Sequence, residues 1–205
     1  QSAQAPNDLA LLQVDSLVSA LARQYEDLHW MPRIRFNGLL DIPDENMETR
    51  AHTPVTGLAV DLLSPDSPEP GHLNLDESLV RGHAPSRPGE VLLSERLMQR
   101  LELKPDDTVT LIGSTLWGSM AVYNFTISGS VRFGMTALDR GALIADLADV
   151  RQALNMEDAA GEVLGFFRDD IYKDERAREI AHSFGTPATA PAGEFTPVMV
   201  TLREQ

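Results

Sequence analysis

The sequence predicts an α+β fold, and three features predict it. Apolar residues recur at helical spacing near the start of the chain. Through the middle, runs such as VTLI and AVYNFTISGSV read as strands, with one short helix among them. In the final third, strand-like and helix-like patterns alternate, which suggests α/β layering there. No internal repeat is visible.

The elements follow in order. Pro6-Asn7 marks a helix start, with Asn7 placed to cap the first turn. Leu11, Val14, Leu17, Val18, Leu21, Tyr25 and Leu28 then form one apolar stripe, with Asp15, Ser19, Arg23 and Glu26 off it. Helical throughout, that segment would be about 33 Å long. Pro32 stops the helix, and Ile34 and Phe36 alternate with Arg33 and Arg35 as in a half-buried strand. DIPDENMETR is expected to be a loop, and a second strand is expected around Val55 to Val60. SPDSPEPGHLNLDE, with Pro65, Pro68, Pro70 and Gly71, is expected to be a loop or a subdomain boundary.

GEVLLSERLMQRLELKPDDTVTLI reads as strand, helix, proline turn and strand. Ser94 stands at the helix cap, Leu97, Met98 and Leu101 form its buried stripe, and Pro105 pre-sets the turn. The tip GSTLWGS and the run AVYNFTISGSV complete a hairpin with a long loop. ALIA is a short strand, and Asp146 caps the helix LADVRQAL. EVLGFF is a strand, and KDERAREIAHSF is a helix whose inner face is Ala177, Ile180, Ala181 and Phe184, stopped by Gly185. EFTPVMVTLREQ is expected to be a strand running into a charged tail.

Composition narrows the chemistry. The net charge of −14 repels phosphate backbones and anionic headgroups, which argues against nucleic acid as a partner. There is no cysteine, so thiolate metal sites, iron–sulfur clusters, cysteine nucleophiles and disulfides are excluded. No stretch approaches the roughly 20 apolar residues that span a bilayer, and QSAQAPND lacks the regions of a secretion signal. Two readings remain: a soluble protein, or a piece of a longer chain.

Catalytic patterns are not found. His29, His52, His72, His83 and His182 have no ligand spacing among them. Asp41, Asp44, Glu45 and Asn46 lack the glycine and closing glutamate of a calcium loop. Phosphate loops, dinucleotide fingerprints and the nucleophile elbow are absent. Asp169-Asp170 and Asp174-Glu175 read as decoration of a helix start. No cofactor or metal is expected. Leu116 and Trp117 at the hairpin tip are the candidate contact residues. Trp117 is expected to fold back onto the body; exposed instead, it would be a contact point for a partner.

GEVLLSERLMQRLELKPDDTVTLI and FTISGSVRFGMTALDRGALIADLADVRQALNM together resemble the extracytoplasmic domain of MacB/FtsX/LolC-type ABC-transporter permeases. Gly89-Glu90, Asp107, Gly134-Met135 and Asp139 occupy the places of that family's turns, and MVTLREQ resembles its return to the membrane. The match runs from about residue 30 to the end. Asp106 stands where the family usually has glycine, which demands right-handed dihedrals or strain there. Leu202 replaces a common tryptophan, and the tip is shorter than the hairpin that recruits a carrier in lipoprotein-releasing members.

The resemblance implies two lobes: a porter-like α/β lobe from residues 1–76 and 137–205, and an inserted β-rich lobe from 77–136. It implies a non-catalytic domain outside the cytoplasmic membrane, reached through spans beyond these residues. Its partners would be an ATP-binding subunit or domain and a second permease subunit, and its cargo a lipoprotein, lipid, peptide or drug. The alternatives are a free-standing periplasmic ligand-binding protein and a hydrolase with scattered active residues.

Overall fold

The computed structural model describes residues 10–44, 46, 48–184 and 198–202, without the side chains of 137 and 138. The caps expected at Asn7 and Gly185 lie outside the described residues. The elements are β1 (Leu11–Leu12), α1 (Val14–Gln24), β2 (Leu28–Pro43), β3 (Thr49–Val60), α2 (Glu69–His72), α3 (Leu75–Ser78), β4 (Leu79–Gly82), β5 (Glu90–Ser94), α4 (Glu95–Arg100), β6 (Thr108–Ser114), β7 (Met120–Val131), α5 (Thr136–Asp139), β8 (Ala142–Asp146), α6 (Leu147–Ala153), β9 (Ala159–Ala160), β10 (Glu162–Phe167) and α7 (Asp174–Phe184).

Two long strands organise the α+β fold. The first half of β2 pairs with β10. Its second half pairs with β3 on one side and, over Leu39 to Asp41, with β6 on the other. β7 pairs with β6 over its first half and with β5 and β4 over its second. Parallel ladders join β3 to β8 and β5 to β7, and an antiparallel one joins β5 to β8. The circuit β2-β3-β8-β5-β7-β6 therefore closes on itself as a barrel, with β10 and β4 outside it.

Three apolar clusters follow from this topology. Ile34, Phe36, Leu40, Val91, Leu93, Phe125, Ile127 and Leu143 fill the barrel, and Val150 and Leu154 of α6 complete the filling. Val60, Leu75, Leu92, Val131 and Ile144 form a second core on the opposite face of the same strands. Every residue of β5 and of β8 is buried, which is why VLL and ALIA read as continuous apolar runs. Leu21, Tyr25, Leu28, Phe167 and Ile180 form a third core, separate from the barrel. It joins α1, the start of β2, β10 and α7 into a small α/β lobe built from both parts of the chain that flank the barrel. Tyr25 Oη and Ser183 Oγ, 2.7 Å apart, and the Arg176–Asp27 pair at 3.0 Å fasten its helices.

The segment 77–136 supplies β4 to β7. Its strands share ladders with β2 and β8 on either side, so its sheet and core are continuous with theirs.

Several local expectations change. The first helix has eleven residues, about half the expected length. Gln13 enters it left-handed, at φ 56°, because Leu11–Leu12 is held in a ladder with Ala159–Ala160. Leu28 leaves the stripe to begin β2. Pro32 lies inside β2, opposite Val163, before the β3 ladder begins at Ile34. Half of DIPDENMETR is strand, residues 41–43 and 49–50, and Asp44 closes the turn between them, its Oδ1 accepting from the amides of Asn46 and Glu48. Residues 69–78 form two helical turns that cover the second core. Ser94 occupies the cap position of α4, but its side chain makes no capping bond and its Oγ is buried. No strand is assigned at 198–202, where Val198, Val200 and Leu202 face outward while Thr201 is buried.

An internal repeat emerges that the residues conceal. β5–α4 and β8–α6 are both five-residue buried strands running directly into short helices. Each helix ends on a left-handed residue, Glu102 at φ 55° and Asn155 at φ 53°. The next amide in each bonds back five residues, Leu103 to Met98 and Met156 to Arg151. Leu103 and Met156 are both buried, completing the hydrophobic contact of a left-handed helix stop.

Gly57 pairs with Phe36 across the β2–β3 ladder, and an added Cβ would sit 2.0 Å from the Phe36 ring. Phe36 is 2% exposed and has nowhere to go. Gly57→Ala should therefore cost about 1–3 kcal/mol by overpacking. Gly71→Ala, in α2 with nothing within 4 Å, should be neutral or stabilise by about 0.5–1 kcal/mol. Urea unfolding midpoints of the two variants check the contrast.

Candidate functional site

Two places in the fold gather groups capable of recognition. The first is the β6–β7 hairpin. Its ladder runs without irregularity from Thr108↔Thr126 to Ser114↔Met120. The Thr115 amide donates to the Ser119 carbonyl, the Gly118 amide to Thr115 O, and the Ser119 amide to Thr115 Oγ1. Gly118 supplies the left-handed residue this five-residue tip needs, at φ 79°.

The two candidate contact residues divide. Leu116 is half-buried against the barrel core, and its amide donates to the Leu154 carbonyl at the end of α6. Trp117 does not fold back: it is 73% exposed. The anchor at Leu116 fixes the backbone, and the adjacent side chain is turned to solvent. Met120 and Val122 lie on the outer face of the same hairpin, at 76% and 58% exposure. Ile112 and Leu39 continue the row across β6 and β2.

The second place is a shallow cleft of about 230 Å³ between β2 and the segment before α2, lined in part by His29, Met31, Asp61, Ser64, Asp66 and Glu69. Behind the cleft wall, Arg33 donates from Nε and Nη2 to the carboxylate of the lining residue Glu69, at 2.7 and 2.5 Å. Both side chains are buried, at 9% and 1% exposure. His72 stacks on Phe166 with ring centroids 4.3 Å apart, and its Nε2 lies 3.0 Å from Asp170 Oδ1. His29 lies beside them, with Nε2 3.2 Å from Arg168 Nη1. Burial, the Arg168 charge and the neighbouring His72 all hold the His29 pKa below its ordinary 6.5. The neutral ring is the form that accepts from the guanidinium.

This cluster unites His29 and His72, which lie 43 positions apart in the sequence. It does not assemble a nucleophile with a base. Ser67 Oγ donates to the Asp61 carbonyl and accepts from the Glu69 amide, as a turn residue does. His83 bonds the adjacent Ala84 carbonyl, His52 faces Asp41 across the β2–β3 ladder, and His182 lies on α7. Among the described residues, no group of three or more His, Asp or Glu is arranged to hold a metal; Glu45 lies outside them. Asp174 and Glu175 occupy the first turn of α7. Asp169 pairs with Lys173, and Asp170 with His72.

The residues that carry the family resemblance all shape turns. The Gly89 amide donates to the buried Asp149 carboxylate at 2.7 Å. Burial, with Asp146 nearby, pushes the Asp149 pKa up. Asp107 accepts from the Lys104 amide, and Asp139 from the Phe133 amide beside left-handed Gly134. Asp106, where glycine is usual, is left-handed at φ 73°. The turn is therefore strained, at a residue type that tolerates the region better than most.

Comparison with known proteins fits this assembly of turns and ladders. No family model matches the sequence, and no curated protein matches it. Among solved structures, the periplasmic region of MacB from Actinobacillus actinomycetemcomitans superposes with a TM-score of 0.57 at 13% identity, covering 85% of this chain and 73% of that one. The fold is that of a MacB periplasmic region. Among the described residues, no helix is long and apolar enough to cross a membrane.

Sequence reasoning missed the Arg33–Glu69 pair and the His72–Phe166–Asp170 contacts, because nothing in the spacing links β2, α2 and the turn after β10. The hairpin's outer face did leave a signal. None of the residues from Thr108 to Val131 is Asp, Glu, Lys, Arg or His, in a chain that is 23% charged.

Arg33→Met should cost about 3–5 kcal/mol, because it leaves the Glu69 carboxylate buried without a partner. The double variant Arg33→Met with Glu69→Leu should lose less than Arg33→Met alone; chemical denaturation of the set measures the difference. His29 has a folded pKa below its unfolded one, so its neutral form favours the fold. That contribution is present above pH 6.5 and shrinks as pH falls below it. His29→Gln should flatten the stability profile between about pH 7.5 and 5.5, above the range where ordinary carboxylates titrate.

Proposed function

We propose that this chain is a non-catalytic extracytoplasmic domain of an ABC-transporter permease, anchored in the cytoplasmic membrane by segments outside these residues. It would relay nucleotide-driven movement to the export or release of a lipoprotein, lipid, peptide or drug. The ATP-binding subunit and a second permease subunit are its partners in this reading. The observation that carries it is the MacB-like fold, a likeness that covers 85% of this chain. Met199, three residues before the last described position, packs against the cluster that holds Leu21 and Tyr25 of α1. The end of the described chain thus meets the second half of the first helix, which suits a domain joined to one membrane at both ends.

Force applied at that lobe has a covalent and a hydrogen-bonded route outward. β2 runs without a break from the β10 ladder into the barrel, so the two lobes share a strand. The division into 1–76 with 137–205 and 77–136 is part of the proposal. The β2–β6 and β5–β8 ladders that cross it would make the inserted segment move with its host as a rigid body. Leu116 and Trp117 are assigned as the contact with a partner at the far end of that path.

The reading frame that encodes the chain tests the proposal. Apolar spans of roughly 20 residues are expected before residue 1 and after residue 205. A frame with only a cleavable leader before the domain and a stop codon just after it would favour the free-standing binding protein and overturn the reading. The isolated chain should neither bind nor hydrolyse ATP in calorimetric and phosphate-release assays.

A further inference from the structure

The outer half of β7 has no strand on its second edge, and α6 meets the hairpin at the tip, through the Leu154 carbonyl. From Met120 to Phe125 its ladder is with β6 alone; pairing with β5 begins only at Thr126. Exposed edges are normally blunted by lysine, proline, a bulge or an inward charge, because free backbone groups recruit other strands. Here the β6–β7 register is regular, and the hairpin holds no charge and no proline. Trp117, Met120 and Val122 add exposed apolar surface along it. In a strongly charged chain, an uncharged, flat, apolar edge is what a strand-pairing partner requires.

The charges around the hairpin indicate which partner. Glu102 and Asp106 are exposed in the turns that lead into β6. Glu157 is exposed just after Leu154, whose carbonyl holds the hairpin tip. Lys104 is the one cation within the leading turn, Leu101–Asp107, and Arg50 donates to its Leu101 carbonyl. The whole chain carries −14, so a second copy would approach against like charge.

We propose that the β7 edge from Met120 to Asn124 binds an extended segment of a partner protein by strand addition. The segment has apolar alternate residues that cover Met120 and Val122, and basic residues at its ends that meet the acidic rim. This rests on the assignment of the hairpin as a partner contact and specifies its mode and its ligand chemistry.

The probe is a synthetic peptide of alternating Val and Thr with two Lys at each end, titrated into the isotope-labelled 205-residue chain. Its counterparts carry Glu in place of Lys, or Pro in place of the central Val. The expected result is new hydrogen-exchange protection of the amides of Met120, Val122 and Asn124, which face away from β6, and a shift of the Trp117 indole N–H. The Glu-flanked peptide should bind at least tenfold more weakly, and the Pro peptide should give no protection. Met120→Lys should abolish protection without moving the thermal midpoint, since its side chain is 76% exposed.

Equal binding of the Lys- and Glu-flanked peptides overturns the proposal, as does binding without protection of those three amides. Protection that appears without peptide and grows with protein concentration assigns the edge to a second copy and overturns it too. The outcome is independent of the reading-frame test: the edge can bind a strand whether or not membrane spans flank the domain.

Discussion

Closure of the sheet through β6 is the constraint on which the rest of the molecule depends. β6 bonds to β2 on one side and to β7 on the other. This short strand turns an open, twisted sheet into a barrel with an inside. Without it Leu40, Leu111 and Phe125 would face no common interior, and the strands of β2 and β7 would end as free edges. Closure also explains the length of β2 and β7: β2 reaches from β10 into the barrel, and β7 meets β6 with its first half and β5 with its second.

Closure makes polar burial necessary at the rims, and the buried carboxylates there are partnered, whereas Ser94 Oγ is buried without a partner. Glu95 at the start of α4 accepts from Arg81, Ser130 and Gln99. Burial alone would raise its pKa, but those hydrogen bonds outweigh it and hold the carboxyl low. Asp146 caps α6 through the Ala148 amide and also holds the amides of Leu62 and Leu63, so one carboxylate ties the exit of β3 to the helix after β8. The Arg33–Glu69 pair does the same for α2 against the small lobe. Such pairs add little net stability relative to apolar packing, but removing one partner is costly. They fix where the connecting segments sit, and hence how one lobe is oriented on the other.

The two candidate sites differ in kind. In the cleft, the charged side chains around Arg33 are matched among themselves, which gives it the character of a structural joint. The hairpin is the reverse: its backbone is anchored at Leu116, while its outer edge and the side chains of Trp117, Met120 and Val122 have no strand or core of their own. In the proposed relay of motion, the first region would supply stiffness and the second a place of contact.

What the sequence determined by itself was local and periodic. VLL in β5, ALIA in β8 and EVLGFF in β10 are legible as strands because side-chain burial in a sheet leaves an apolar run or an alternation in the residues. Asp146 was legible as a cap because the bond it makes spans two residues. The tertiary structure decided everything that depends on partners distant in the chain. It shortened the first helix, because Leu11–Leu12 pairs with Ala159–Ala160, and it kept Pro32 inside β2, where Val163 faces it. It matched two βα units whose residues share little, because a left-handed stop constrains backbone and burial more than identity. It turned Trp117 outward, because the neighbouring Leu116 is the residue that α6 holds. Spacing along a chain records contacts within an element; which elements meet is set by the closing of the barrel, and no short window of residues contains that.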